Sequence, residues 1–194
     1  MGSGLRTSLQ EPPVSSPTKI IIGISGFLET EKRSSGVEDI LWSVYTDTEH
    51  VATARFMWND SLVTMARLVR RMKTRWPNIQ LNILGYSLGG MTAIELAAKL
   101  EPYEVENLFL IDPVKHIWKH TPSLLSLWGI GTLAVSGNVK SCTLWKQQQS
   151  IIRGCTVVMQ SAETGFTEDL LSHSHTKIDN SPAIQGTIIE RMQA

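Results

Sequence analysis

The stretch that most constrains how this chain can fold is LNILGYSLGGMTAIELAAKL, residues 81–100. An apolar run leads into a serine flanked by glycines, and residues with high helix propensity follow it. The pattern predicts a strand over residues 79–86, a tight turn at Ser87 and a helix over residues 88–100. Either this turn contains a serine by chance, or the turn exists to present the serine.

The rest of the chain alternates between apolar runs and amphipathic segments. Further strands are predicted over residues 19–25, 51–58, 105–111, 139–145 and 156–159. Helices are predicted over residues 37–45, from a cap at Asn59 or Asp60 to Arg75, and over residues 182–192 with Asn180 or Ser181 as the cap. This alternation predicts an α/β fold, a three-layer α/β/α sandwich with a mostly parallel sheet between helices.

Residues 116–136 do not fit that alternation, because they are apolar, contain glycine and lie between two predicted strands. We expect a helical excursion across the end of the sheet, where open α/β sheets hold their sites. The segment then acts either as a packed connecting helix or as an apolar lid or substrate wall.

Length and composition fit one globular domain. The chain has 194 residues, 42% of them hydrophobic and 19% charged. We expect a single domain over residues 19–194 and a flexible leader, rich in serine, proline and glycine, over residues 1–18. Because neither a signal-peptide core nor a run of about 18 apolar residues is seen, we expect a soluble, cytoplasmic protein without a transmembrane segment.

The charge balance argues against a nucleic-acid partner. The 18 basic and 18 acidic residues cancel, whereas a dedicated nucleic-acid binder shows a basic excess. One local basic cluster is interpreted as a solvated helix face, and its members are Arg67, Arg70, Arg71, Lys73 and Arg75.

Other site types find little support in the sequence. Cys142 and Cys155 lack partners at zinc spacing and are interpreted as free thiols or small core residues. The stretch GIGTLA has the letters of a dinucleotide fingerprint but lacks the acidic residue that should follow about 20 positions later. His116 and His120 have a helical metal-binding spacing without the remaining ligands. We therefore expect no metal and no organic cofactor.

The sequence Gly85-Tyr86-Ser87-Leu88-Gly89 has the form G-x-S-x-G between a strand and a helix. A serine hydroxyl needs a base, a group that orients the base, and N–H donors for the developing oxyanion. The helix that follows directs N–H groups and the positive end of its dipole at the turn. The pattern therefore favours a nucleophilic serine over an incidental turn.

GYSLGG after an apolar strand resembles the nucleophile elbow of the α/β-hydrolase superfamily, and the resemblance extends from residue 19 to the last predicted helix. It implies a serine esterase or lipase-like fold with a serine, an acid and a histidine in that chain order. The short chain is similar to compact cutinase-like members and to small lipases of bacteria and their phages.

The resemblance implies an acid after Ser87, and Asp112 follows the apolar run in LIDPV. This placement is similar to lipases of the pancreatic type, whereas many superfamily members carry the acid one strand later. The alternative is an aspartate that only caps a turn before Pro113. Asp169 and Asp179 are fallback acids, and Asp179 is a poor one because it lies so close to the expected base.

The base implied by the resemblance is a histidine before the last helix, and SHSHTKIDNSP contains two candidates. His175 is the first choice and His173 the alternative. His173 and His175 are two residues apart. On an extended segment we expect their side chains to point in opposite directions, so only one can face the serine. A neutral imidazole has to accept the proton, and we therefore expect activity to fall at acid pH.

The oxyanion hole implied by the resemblance uses two backbone N–H groups. One is that of Leu88, directly after the nucleophile. The other comes from the loop after the first strand, where SGF stands, with Phe27 as the first choice and Leu28 as the second. This loop lacks the HG or HGGG motif of many relatives, and Gly26 could be only a turn residue.

The function expected from these features is a serine hydrolase. It would cleave an ester, including lipid-like and thioester acyl groups, through an acyl-enzyme. The alternatives are an acyltransferase with the same triad and a binding protein that has kept the fold without catalysis. The acyl chain, the leaving group and the oligomeric state stay open.

Overall fold

The computed structural model describes residues 16–27, 36–118, 121–122 and 131–194. Its strands, in chain order, are β1 (Lys19–Ser25), β2 (Val51–Met57), β3 (Gln80–Tyr86), β4 (Val105–Ile111), β5 (His116–Trp118), β6 (Thr121–Pro122), β7 (Thr132–Val135), β8 (Val139–Gln147), β9 (Thr156–Met159) and β10 (Gly165–Leu171). Its α-helices are α1 (Gly36–Asp47), α2 (Leu62–Arg75), α3 (Leu88–Lys99) and α4 (Pro182–Gln193). The predicted leader lies mostly outside these residues.

Six strands form the central sheet, in the order β10-β8-β4-β3-β1-β2. Every pairing in this sheet is parallel. Since the strands run in one direction, their carboxyl ends meet at one edge, where loops from different parts of the chain can form a site. The predicted α/β class with a mostly parallel sheet is confirmed.

Helices cover both faces of the sheet, because its central strands are apolar on both sides. Along β1, Ile20, Ile22 and Ile24 pack with residues of α2 and α3 on one face. Ile21 packs with residues of α1 and α4 on the other face. Parallel strands buried in this way have continuous apolar sequences, which explains the run of isoleucines.

The predicted bounds are accurate for the central strands of the sheet and less accurate at its edge. The strand β10 was missed, because six of its seven residues are exposed and its sequence shows no apolar alternation. The strand β8 ends at Gln147, two residues beyond its predicted end at Trp145. A polar edge strand is fixed by pairing with its neighbour, which a single-sequence pattern does not record.

The predicted helix over residues 116–136 is wrong for the parts of that segment that the structure describes. The strands β5 and β6 form an antiparallel pair. The strand β7 pairs in parallel with β9, which was expected in the main sheet. Leu133 and Val135 of β7 are buried in the same core as α3. Residues 119–120 and 123–130 lie outside the described ranges, so the lid or wall hypothesis stays a prediction.

The predicted cap of α2 is also wrong. Its N-cap is Ser61, without a side-chain cap hydrogen bond. The Asp60 carboxylate instead accepts a hydrogen bond of 2.8 Å from the Met57 N–H and closes the turn after β2. Ser181, one of the two predicted caps of α4, is its N-cap and precedes Pro182, as expected for proline in a first turn.

The surface of α2 agrees with its interpretation as a solvated face. The four arginines of the basic cluster are exposed, and the Arg75 guanidinium lies 4.7 Å above the Trp76 ring. Within the described ranges, no helix combines the length and the apolar character that a bilayer crossing requires. A cytoplasmic location stays a prediction.

Both cysteines are free and buried, which confirms the interpretation of their thiols. Burial raises the pKa of the Cys142 thiol to about 12. Because a raised pKa keeps the thiol protonated at pH 8, and the thiolate is the reactive form, we expect negligible reaction of Cys142 with Ellman's reagent in the native protein. Both thiols should react after denaturation in guanidinium. Rapid native-state modification of Cys142, located by mass spectrometry, would contradict its burial.

Candidate active site

The turn between β3 and α3 presents Ser87. Ser87 has φ 54° and ψ −123°, a conformation that non-glycine residues rarely adopt. Gly85 permits the tight approach of strand and helix, because a Cβ there would lie 2.6 Å from the Gly89 carbonyl oxygen. Gly89 in turn lies against the backbone of Ile24 in β1. Both glycines are therefore required by close packing around the serine.

Backbone hydrogen bonds hold Ser87 beside the end of β4. Its N–H donates to the Ile111 carbonyl at 3.0 Å, and its carbonyl accepts from the Val114 N–H at 2.9 Å. These two bonds enclose Asp112 and Pro113. The Ser87 turn and the Asp112 turn are consequently fixed to one another.

The Asp112 carboxylate is fully buried and surrounded by donors. Its Oδ1 accepts from the Gly154 N–H at 2.8 Å and, more weakly, from the Gln147 N–H at 3.4 Å. Its Oδ2 accepts from the Gln147 side-chain amide at 2.9 Å and contacts the His175 ring at 2.6 Å. These contacts, spread over both carboxylate oxygens, fix the orientation of the Asp112 side chain.

The His175 ring lies between Asp112 and Ser87. Its Nδ1 is 2.6 Å from Asp112 Oδ2, and its Nε2 is 2.9 Å from Ser87 Oγ. A carboxylate only accepts hydrogen bonds, so the proton of the neutral ring belongs on Nδ1. Nε2 then carries the free lone pair that can accept the serine proton.

Further contacts fix His175 in place. Its ring stacks on the Tyr86 ring, with centroids 5.4 Å apart and planes inclined by 30°. The Tyr86 hydroxyl donates to the His175 carbonyl at 2.7 Å. The His175 N–H donates to Ser150 Oγ at 2.6 Å. The tyrosine of the GYSLGG motif thus positions the imidazole next to the serine.

The other predicted candidates lie elsewhere. Among the described residues, His173 Nδ1 is buried without a hydrogen-bond partner, and no contact joins it to Ser87. Asp169 is exposed on the edge strand β10. Asp179 accepts a hydrogen bond of 3.0 Å from the Gly36 N–H at the start of α1. Of the alternatives considered, the structure brings together Ser87, Asp112 and His175.

The two expected oxyanion donors lie close to the serine in sequence or space. Leu88 is the first residue of α3. Phe27 follows Gly26, whose position is so close that a Cβ there would lie 2.9 Å from Ser87 Cβ. Within the described ranges, neither the Leu88 nor the Phe27 N–H makes a hydrogen bond. Leu28, the second choice, lies outside those ranges. Both assignments stay predictions.

Apolar residues lie next to Ser87 along the backbone: Leu88 follows it in the chain, and Val114 donates a backbone hydrogen bond to it. Trp58, Leu88 and Val114 form one small cluster, with Ile152 packed against it. The Phe27 ring, 51% exposed, meets the Trp58 ring edge-on at 6.0 Å. Trp58, Leu88 and Val114 are themselves buried, so Phe27 contributes most of the exposed surface here. Over the described ranges, the His, Cys, Asp and Glu side chains form no cluster of three or more suited to a metal ion.

Gln147 and Ser150 contact the acid and the base, and sequence reasoning missed both. Gln147 is the last residue of β8, the neighbour of β4 in the sheet. The predicted strand stopped at Trp145, and that error removed Gln147 from the strand end where a polar side chain faces the site. A search for polar residues at the ends of strands next to the Asp112 strand would have found it.

On the expectation of a serine esterase drawn from the sequence, replacing Asp112 with asparagine should lower kcat by about 10⁴-fold. An amide that turns its NH₂ towards His175 Nδ1 disfavours the tautomer with a free Nε2 lone pair. The matched control is Asp169→Asn, an exposed change that should leave kcat close to that of the wild type. Equal kcat values for the two variants would show that Asp112 takes no part in turnover.

Comparisons with known proteins agree with this architecture. A family model described as the alpha/beta hydrolase fold matches residues 23–178. The esterase domain of a Rhodothermus marinus protein has a TM-score of 0.56 at 12% identity, over 95% of this chain and 88% of that chain. The NocB thioesterase domain from the nocardicin cluster has a TM-score of 0.52 at 13% identity, over 91% of this chain and 94% of that one.

The NocB domain in covalent complex with a fluorophosphonate nocardicin G analogue gives a TM-score of 0.50 at 12% identity, over 92% of this chain and 96% of that chain. At such identities the likeness concerns the fold. A comparison with curated proteins found no significant match.

Proposed function

The chain belongs to the α/β-hydrolase family, and on that premise we propose that it is a serine hydrolase that cleaves an ester through an acyl-enzyme. One observation carries this proposal: a continuous chain of hydrogen bonds from Ser87 Oγ through the His175 ring to Asp112 Oδ2, with distances of 2.9 Å and 2.6 Å. Nucleophile, base and orienting group in this geometry are what acyl transfer to serine requires.

In the acylation step, His175 Nε2 accepts the proton of Ser87 Oγ as this oxygen attacks the acyl carbonyl. The Asp112 carboxylate stabilises the imidazolium that forms. The carbonyl oxygen becomes an oxyanion, and the N–H groups of Leu88 and Phe27 donate to it. The α3 dipole adds favourable potential at the same point.

The leaving group departs with the proton that His175 carries, and the acyl group remains on Ser87. Water then attacks the acyl-enzyme while His175 accepts a proton from it. Collapse of the second tetrahedral intermediate releases the carboxylic acid and restores the serine hydroxyl. The chain's own residues supply each proton transfer in this sequence.

The exposed Phe27 ring, one residue after the Gly26 turn that lies against Ser87, supports an acyl group with apolar character as the substrate. Phe27 is 51% exposed and packs edge-on against Trp58, and burying such surface against an alkyl or aryl group is favourable by about 25 cal/mol per Å². The esterase and thioesterase domains among the similar structures fit this substrate class. The class proposed is therefore a carboxylic ester or thioester.

The direct test is covalent labelling with a fluorophosphonate probe, a type of reagent that a similar thioesterase domain binds covalently. We expect an adduct on the peptide that contains Ser87, identified by mass spectrometry, and release of p-nitrophenol from p-nitrophenyl esters. Heat-denatured protein is the control and should not be labelled. A folded native protein that neither takes up the probe nor releases p-nitrophenol would be a binding protein on this fold.

The same esters separate hydrolysis from acyl transfer. Acceptor alcohols are added, and the products are identified by chromatography. A hydrolase forms mainly the free acid when the alcohol is far more dilute than water. If the acyl group is recovered mainly on the alcohol, the activity is that of an acyltransferase, and the hydrolase proposal is wrong.

A further inference from the structure

A closed ring of hydrogen bonds joins the acid and the base by a second route. Gln147 Nε2 donates to Asp112 Oδ2 at 2.9 Å, and Ser150 Oγ donates to Gln147 Oε1 at 3.1 Å. The His175 N–H donates to Ser150 Oγ at 2.6 Å. The contact of His175 Nδ1 with Asp112 Oδ2 closes the ring. We call these four residues the Gln147 ring.

The polar atoms of the Gln147 side chain are fully used, and this determines the orientation of its amide. Nε2 donates to Asp112 and also to the Ile152 carbonyl at 2.5 Å. Oε1 accepts from the N–H and from the hydroxyl of Ser150 at 2.9 Å and 3.1 Å. The residue is 1% exposed. The flipped amide would point NH₂ at donors and oxygen at a carboxylate, so only one orientation is compatible with the site.

We propose that Gln147 is a positioning residue that couples the orientation of the Asp112 carboxylate to the placement of the His175 backbone. This inference rests on the proposed serine hydrolase function. Gln147 acts through Asp112 on one side and through Ser150 on the other, without touching Ser87 or the reacting atoms.

The coupling follows from what each bond restrains. The Gln147 amide holds one lone pair of Asp112 Oδ2, which leaves another for His175 Nδ1. Through Ser150 it restrains the loop after β8, and that loop receives the His175 N–H. Without the Gln147 amide, Asp112 Oδ2 loses one of its two contacts, and Ser150 loses the acceptor that holds its hydroxyl beside the His175 N–H. A displacement of about 1 Å in a catalytic group can cost about 10²-fold in rate.

The test uses Gln147→Met, which keeps the length of the side chain and removes both halves of the amide. Its matched control is Gln148→Met, the same change at the exposed neighbouring residue. A second variant, Ser150→Ala, opens the ring while leaving Gln147 in place. The measurements are kcat and KM for a p-nitrophenyl ester, the rate constant of fluorophosphonate labelling, and the melting temperature of each variant.

We expect Gln147→Met to lower kcat and the labelling rate by about 10²-fold, with KM changed by less than about 3-fold. Ser150→Ala should lower kcat by about 10-fold, since one of the two connections to His175 remains. Gln148→Met should equal the wild type. If Gln147→Met is too unstable to assay, Ser150→Ala decides: a folded Ser150→Ala variant with wild-type kcat contradicts the coupling.

The Asp112→Ala background distinguishes a positioning role of Gln147 from a general structural role. If Gln147 acts only by orienting the acid and base, adding Gln147→Met to Asp112→Ala should lower the remaining rate by less than about 3-fold. A further loss as large as in the wild-type background would assign Gln147 to general stability and overturn the proposal.

Proton NMR tests the coupling without depending on catalytic activity, so its result is independent of the proposed function. The Nδ1–H of His175, held 2.6 Å from a carboxylate, should give a strongly deshielded signal in the wild type that is lost or moves upfield in Gln147→Met. If fluorophosphonate does not label the wild type but the NMR signal changes in this way between wild type and Gln147→Met, the hydrolase function is refuted and the coupling is supported. Labelling at the wild-type rate and an unchanged signal in Gln147→Met would refute the coupling alone.

Discussion

Ser87→Ala is expected to lower the turnover of an ester substrate by about 10⁶-fold, equivalent to about 8 kcal/mol in the activation barrier. The substitution removes the proposed attacking oxygen, Ser87 Oγ, which lies 2.9 Å from His175 Nε2. The residual rate over uncatalysed hydrolysis should come from substrate binding and from the backbone donors near the turn. Initial rates with a p-nitrophenyl ester at high enzyme concentration measure the effect.

Two observations would separate this result from loss of folding. Ser61→Ala is the matched control, because Ser61 begins α2 without a side-chain cap hydrogen bond, and its turnover should equal that of the wild type. The melting temperature of Ser87→Ala should stay close to the wild-type value. Fluorophosphonate labelling that persists on another residue of Ser87→Ala would identify a different nucleophile.

His175→Ala is expected to have an effect of the same size, about 10⁶-fold on kcat. The substitution removes the proposed acceptor of the Ser87 proton and leaves Asp112 Oδ2 without its contact at 2.6 Å. Because serine and base act as one unit, Ser87→Ala combined with His175→Ala should be about as slow as either variant alone. Turnover of the two single variants and of the double variant measures this non-additivity.

The chain itself provides the control for this substitution. His173→Ala changes the same residue type two positions earlier, at a ring that does not contact Ser87, and kcat should stay within about 3-fold of the wild-type value. A loss of turnover in His173→Ala with normal turnover in His175→Ala would reverse the assignment of the base.

Much of the fold was accessible from the sequence because the central strands are buried on both faces. The run of isoleucines in β1 and the apolar residues before Ser87 are fixed by that burial, and both strands were located within one residue of their ends. The edge strand β10 has no such signature. Its place depends on the parallel pairing with β8, a long-range contact that local residue types do not encode.

The residues of the site also differ in whether local sequence or a long-range contact identifies them. Ser87 was accessible because its chemistry and its glycine neighbours are contiguous in the chain. Asp112 and His175 are separated from it by strands and helices, and only their order and element ends indicated a meeting. Gln147 was not accessible, since its role appears only when the end of β8 is seen beside Asp112.

By itself, the sequence determined the apolar alternation that requires a parallel sheet between helices and the glycines that allow Ser87 to occupy its turn. These properties are local, because they follow from side-chain size, polarity and backbone freedom. Only the tertiary structure decided which histidine faces the serine and which amide holds the acid. Those choices depend on the lateral order of β3, β4 and β8 and on hydrogen bonds between loops far apart in the chain.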